Sequence, residues 1–143
     1  MKKINSEIKI NATPSEVWSI ISNFTEYPVW NPFIISISGN VAVNNKIKVK
    51  VKPLDSSEMI FRPTVLTYIE NEEITWEGHL FIKGLFDGRH TLKLIDNYDG
   101  TTTFIQSECF QGLLVPLFTD MIENKTLKGF YLMNQKLKEL SEK

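Results

Sequence analysis

The chain has 143 residues, 42% of them hydrophobic and 23% charged, which is the size and balance of one globular domain with one core. Sixteen basic against seventeen acidic side chains leave a net charge of −1, without the positive field that attracts nucleic acid or anionic lipid surfaces. The one cysteine, Cys109, excludes an internal disulfide and a multi-thiolate metal site and fits a reducing compartment.

The opening Met1-Lys-Lys-Ile-Asn-Ser-Glu7 has no apolar stretch of the kind that a secretory signal carries, so the expected location is the cytoplasm. Ile4, Ile8 and Ile10 alternate with Glu7 and Lys9, the period of a half-buried strand. Two short helices are then expected. Thr13 is an N-cap, Pro14 suits the first helical position, and Glu16 completes a capping box. Val17, Ile20, Ile21 and Phe24 form the apolar stripe of that helix. An aromatic-proline turn, Tyr27-Pro-Val-Trp-Asn-Pro-Phe33, follows, and Trp18 and Trp30 are expected to pack the short helices against a sheet.

The middle of the chain reads as strands. Lys46-Ile-Lys-Val-Lys-Val-Lys52 points Ile47, Val49 and Val51 inward and its lysines outward. Glu58 to Glu70 and Glu72 to Ile82 are expected as the next two strands, turned at Asn71. Phe86 to Asp96 and Thr102 to Gly112 make a hairpin around Asn97-Tyr-Asp-Gly-Thr101. From about Pro116 to Lys143 a long helix is expected, with Leu117, Met121, Leu127, Phe130, Met133, Leu137 and Leu140 on its apolar face. Leu113 to Phe118, the longest nearly unbroken apolar run, is too short to cross a bilayer, so no integral membrane segment is expected. No linker, charge block or repeat divides residues 1–143, which read as a single domain. The fold class is α+β with an antiparallel sheet.

Ile10-Asn-Ala-Thr-Pro-Ser-Glu-Val-Trp-Ser-Ile-Ile-Ser-Asn-Phe24 running into Tyr27–Phe33 resembles the opening of the START-like, or SRPBCC, superfamily. Gly88-Arg-His90 at a strand start, Gly100-Thr-Thr with Glu108 and Gly112 beyond, and the closing Gly129–Lys138 helix resemble its polyketide cyclase/dehydrase and lipid-transport branch. The pollen-allergen branch is not matched, since Gly39-Asn-Val-Ala-Val-Asn-Asn45 stands where that branch has a glycine-rich loop. The resemblance implies a helix-grip fold: a curved antiparallel sheet of about six to seven strands wrapped around the long C-terminal helix and an apolar cavity. Members of the superfamily bind or transform sterols, lipids, quinones and polyketides with different residues on one scaffold, so function must be read from the cavity.

If Leu94 lies opposite Phe104 in the hairpin, Leu92 faces Gln106 and His90 faces Glu108, all on one side with Phe86 and Phe110. His90, Gln106 and Glu108 are therefore expected to point into an apolar interior, where polar groups need partners. Three roles fit that placement: a mutual pair that satisfies itself, a pair that also orients a ligand's polar head, and an acid/base pair. His79 falls on the outer face. No HExxH, Gly-x-Ser-x-Gly or phosphate-cradling loop is present, and no metal or cofactor is expected.

The leading expectation is a module that binds a small hydrophobic or amphipathic molecule of lipid, polyketide or quinone type. Its tail would lie against Phe61, Trp76, Leu92, Phe110, Met121 and Phe130, and its head on His90, Gln106 and Glu108. Such an interior needs roughly 300 Å³. The alternative is a cyclase, dehydratase or hydrolase using Glu108 and His90 as acid and base. Ligand identity and oligomeric state are not encoded in any recognisable motif.

Overall fold

A computed structural model describes residues 1–143. β1 (Lys2–Ile10) leads into α1 (Pro14–Ile21), a 3₁₀ turn (Phe24–Glu26) and α2 (Tyr27–Trp30). The strands β2 (Ile34–Ser38), β3 (Lys48–Val51), β4 (Met59–Phe61), β5 (Thr64–Ile69), β6 (Glu73–Leu80), β7 (Phe86–Asp96) and β8 (Thr102–Gln111) follow. A 3₁₀ turn (Val115–Phe118) and a wide π-helical turn (Met121–Thr126) run into α3 (Leu127–Ser141). One antiparallel sheet has the order β1-β8-β7-β6-β5, the other β2-β3-β4. The Lys46–Thr64 bridge and the Ile47 N–H on the Pro63 carbonyl (3.0 Å) join their edges. The result is the helix-grip arrangement, with α3 packed across β1 and β8.

Local chemistry accounts for most of these boundaries. At α1 the Glu16 N–H donates to the Thr13 hydroxyl (3.3 Å) and the Thr13 N–H to Glu16 (3.1 Å), the reciprocal capping box. The Thr13 N–H foremost, and the Thr13 hydroxyl that also donates to Glu16 Oε1 (2.9 Å), hold the Glu16 carboxyl below its usual range. Buried Tyr27 donates its hydroxyl to the Ile21 carbonyl (2.6 Å), closing the helix onto the following turn. Burial, with a smaller contribution from Tyr68, pushes that phenol far above its usual range, so it remains a donor.

The strand count is eight, and two details differ from the sequence expectation. Glu58 to Glu70 is two strands: Pro63, which has no N–H for a ladder, breaks it, so that β4 pairs with β3 and β5 with β6. Ile34–Ser38 forms a strand whose register shifts between Ile34 and Ser36, which hides its alternation. The apolar face of the last helix also starts later than expected. Leu117 is 78% exposed in the 3₁₀ turn before it, whereas Ile122, Phe130, Met133 and Leu137 are fully buried.

Gly129 lies buried on α3 against the ring of Phe33, so close that a Cβ there would collide with it. Asn31 aims that ring inward by accepting the N–H groups of Phe33 (3.0 Å) and Ile34 (2.9 Å) on its Oδ1. Gly129→Ala therefore sets overpacking of about 1–3 kcal/mol against a helix-propensity gain of about 1 kcal/mol. We expect a net loss of stability in chemical denaturation; a variant stabilised by the full propensity gain would show that Phe33 has room to yield.

Candidate functional site

Strand pairing carries one row of residues straight across the larger sheet. Ile4 on β1 faces Glu108 on β8, Glu108 faces His90 on β7, His90 faces Trp76 on β6, and Trp76 faces Val65 on β5. In the adjacent row Ser6 faces Gln106, and Gln106 faces Leu92. The expected hairpin register, Leu94–Phe104, Leu92–Gln106 and His90–Glu108, is the observed one. Because side chains alternate, both rows present the same face to α3.

The polar members of these rows form a continuous chain of hydrogen bonds. Ser6 Oγ donates to the Gln106 backbone carbonyl (2.8 Å), and Asn134 Nδ2 on α3 donates to Ser6 Oγ (2.9 Å). Gln106 Nε2 donates to Asn134 Oδ1 (2.9 Å), and Gln106 Oε1 meets His90 Nε2 at 2.9 Å. His90 Nδ1 lies 3.2 Å from Glu108 Oε1. Ser6, His90, Gln106 and Asn134 are buried, while the Glu108 side chain retains 17% exposure. The His90 ring stacks on Trp76 (centroids 5.2 Å, 9° between planes) and meets the edge of Phe130 at 5.1 Å.

Beyond Glu108 lies a cavity of about 50 Å³ between the two sheets. Its walls come from Val49, Met59 and Phe61 on one side, from Trp76, Phe86 and Phe110 on the other, and from Met121 and Thr126 of the π turn. This is well under the roughly 300 Å³ expected of a drug-sized site. It is room for a few waters at about 10–15 Å³ each. Apolar side chains, several of them partly exposed and two of them flexible methionines, fill the remainder.

Of the residues singled out from sequence, Phe61, Trp76, His90, Glu108, Phe110 and Met121 line this cavity. Leu92, Gln106 and Phe130 do not; they lie behind it, fully or almost fully buried, and Gln106 is held by His90 and Asn134. His79 is exposed on the outer face. Sequence reasoning missed Ser6 and Asn134, yet each breaks an apolar pattern: Ser6 lies between Ile4 and Ile8, and Asn134 lies between Phe130 and Leu137. It also missed Phe33, which sits in a turn where no periodicity points inward.

Two glycines shape the lining. A Cβ on Gly78 would meet Pro63 at 3.1 Å, and one on Gly88 would meet Glu108 Oε2 at 2.6 Å. Gly88 therefore leaves the space in which the carboxylate lies.

Residues 1–142 match the family described as polyketide cyclase/dehydrase and lipid transport. The chain belongs to that family. Among curated proteins none matches the sequence. Solved structures of the same fold include a hypothetical protein of Helicobacter pylori (10% identity, 98% of this chain and 88% of that one, TM-score 0.78). A point mutant of norcoclaurine synthase from Thalictrum, in complex with a transition-state analogue, is similar at 11% identity over 98% of this chain and 93% of that one, TM-score 0.72. A protein of Mesorhizobium loti is similar at 14% identity over 97% and 96%, TM-score 0.70. At these identities the likeness is one of fold. In this chain the pair His90–Glu108 lies at the cavity wall. No helix is long and apolar enough to cross a membrane.

Gly88→Ala is expected to push the Glu108 carboxylate off its position beside His90. The Glu108 carboxyl ¹³C resonance should move in that variant, and an unchanged resonance would mean that Gly88 has no part in placing the group.

Proposed function

We propose that this protein is a single ligand-binding domain, cytoplasmic, whose occupant is a small hydrophobic or amphipathic molecule of lipid, polyketide or quinone type. The observation that carries the reading is the combination of mostly apolar walls with a few polar groups, Glu108, His90 and Thr126, at the cavity face. Membership of a family described by cyclase, dehydrase and lipid-transport activity supports it. At about 50 Å³ the cavity is closed down around its own side chains. Entry of a ligand then requires Met59, Phe61 and Met121 to swing aside, which partly exposed positions and unbranched methionine chains permit at small cost. With a net charge of −1 and no lysine or arginine in the lining, nucleic acid is not the partner.

The His90–Glu108 contact at 3.2 Å also favours a second reading, an enzyme of the cyclase, dehydratase or hydrolase kind with that pair as acid and base. Glu108→Gln separates the two. Turnover lost with binding retained would mark the enzyme, and altered affinity without turnover in either form would mark the binder.

Native mass spectrometry of protein purified gently from its own cells tests the binding reading. An adduct of about a few hundred daltons is expected, and it should disappear in Met121→Trp, which fills the cavity. A bare chain mass together with no uptake of the neutral apolar dye 1-aminoanthracene, which carries an N–H donor, would contradict it.

A further inference from the structure

The polar ladder has a direction, and that direction begins at an atom whose role is fixed. The Gln106 backbone carbonyl can only accept, so the single Ser6 hydroxyl proton is committed to it. Toward Asn134 the Ser6 oxygen must then accept, which places Asn134 Nδ2 on Ser6 and Asn134 Oδ1 on Gln106. Gln106 accordingly gives its Nε2 to Asn134 and its Oε1 to the ring, and His90 Nε2 must carry a hydrogen to meet that oxygen at 2.9 Å.

With Nε2 protonated, His90 Nδ1 and Glu108 Oε1, 3.2 Å apart, would be two bare acceptors unless one proton lies between them. Whichever atom holds it, that proton is engaged within the pair. In both arrangements the other oxygen, Glu108 Oε2, faces the hollow left by Gly88 as an acceptor with no proton to give. The His90 ring is engaged on both nitrogens, no lysine or arginine is present in the lining to offer a counter-charge for an anion, and the donors left there, the Thr126 hydroxyl and the Trp76 indole N–H, are neutral.

From this geometry we propose that the ladder Ser6–Asn134–Gln106–His90 holds Glu108 at the cavity as an acceptor with no proton to give, selecting a neutral apolar ligand that carries a hydrogen-bond donor such as a hydroxyl. The inference rests on the ligand-binding reading and narrows it: carboxylates and phosphates are disfavoured, and a carbonyl-only molecule leaves Glu108 without a partner. Ser6, Asn134 and Gln106 are positioning residues, and Glu108 is the group that touches the ligand.

The test compares octan-2-ol with octan-2-one, which differ in polarity only by exchanging a donor and acceptor for an acceptor alone. Isothermal titration of the wild-type chain should show the alcohol binding at least about tenfold tighter, the range of a hydrogen bond to a charged acceptor. Glu108→Gln, whose amide both donates and accepts, should bring the two within about threefold of each other. Equal affinities in the wild type, or a tighter ketone, would overturn the inference while leaving the ligand reading intact. If neither compound binds, the ligand reading itself fails, and this inference with it.

Discussion

A hydroxyl, two carboxamides, an imidazole and a carboxylate lie in one hydrogen-bonded line through an otherwise apolar interior, from Ser6 on β1 across α3 to Glu108 at the cavity. No member can be turned without leaving its neighbour unpaired, and a buried unpaired group costs about 1–3 kcal/mol. The line therefore ties the long helix to the sheet in one register and, at its far end, decides what the cavity offers a ligand. Much of the surrounding structure makes room for it. Asn31 aims Phe33 toward His90, Gly129 lets that ring sit against α3, and Gly88 leaves space for the carboxylate.

The hairpin was the most legible part of the chain. A turn of known length between two period-2 segments leaves little freedom in the pairing, so the inward placement of His90, Gln106 and Glu108 followed from residue types alone. The capping box at Thr13 and the turn at Asn71, which has a left-handed φ of 65°, were equally local and equally readable. What failed was whatever depended on irregularity or on distance along the chain. Pro63 divided an expected strand, a register shift concealed β2, and Pro116 sat in a 3₁₀ turn where the helix was expected to begin. Asn134 and Ser6 are 128 positions apart, and nothing local reveals that a polar residue on a helical stripe answers one on a strand. Three site residues expected at the ligand, Leu92, Gln106 and Phe130, proved to be the supporting layer behind it, because parity tells inward from outward but not how deep.

Family membership and fold leave the chemistry open, since one scaffold carries many sites. The details that individualise this chain are a small cavity, a lining without lysine or arginine and a single carboxylate backed by His90. On the proposed ligand-binding reading, such an interior would admit an occupant by displacing flexible apolar side chains.

The central claim is the polarity of the ladder, and the most direct measurement of it is the ¹⁵N NMR spectrum of the His90 ring in the intact chain, assigned against a His90→Gln variant. The account predicts a protonated Nε2, seen as a slowly exchanging N–H protected by Gln106. A ring with a bare Nε2 and its only hydrogen on Nδ1 would reverse the direction of every bond back to Ser6 and contradict the account.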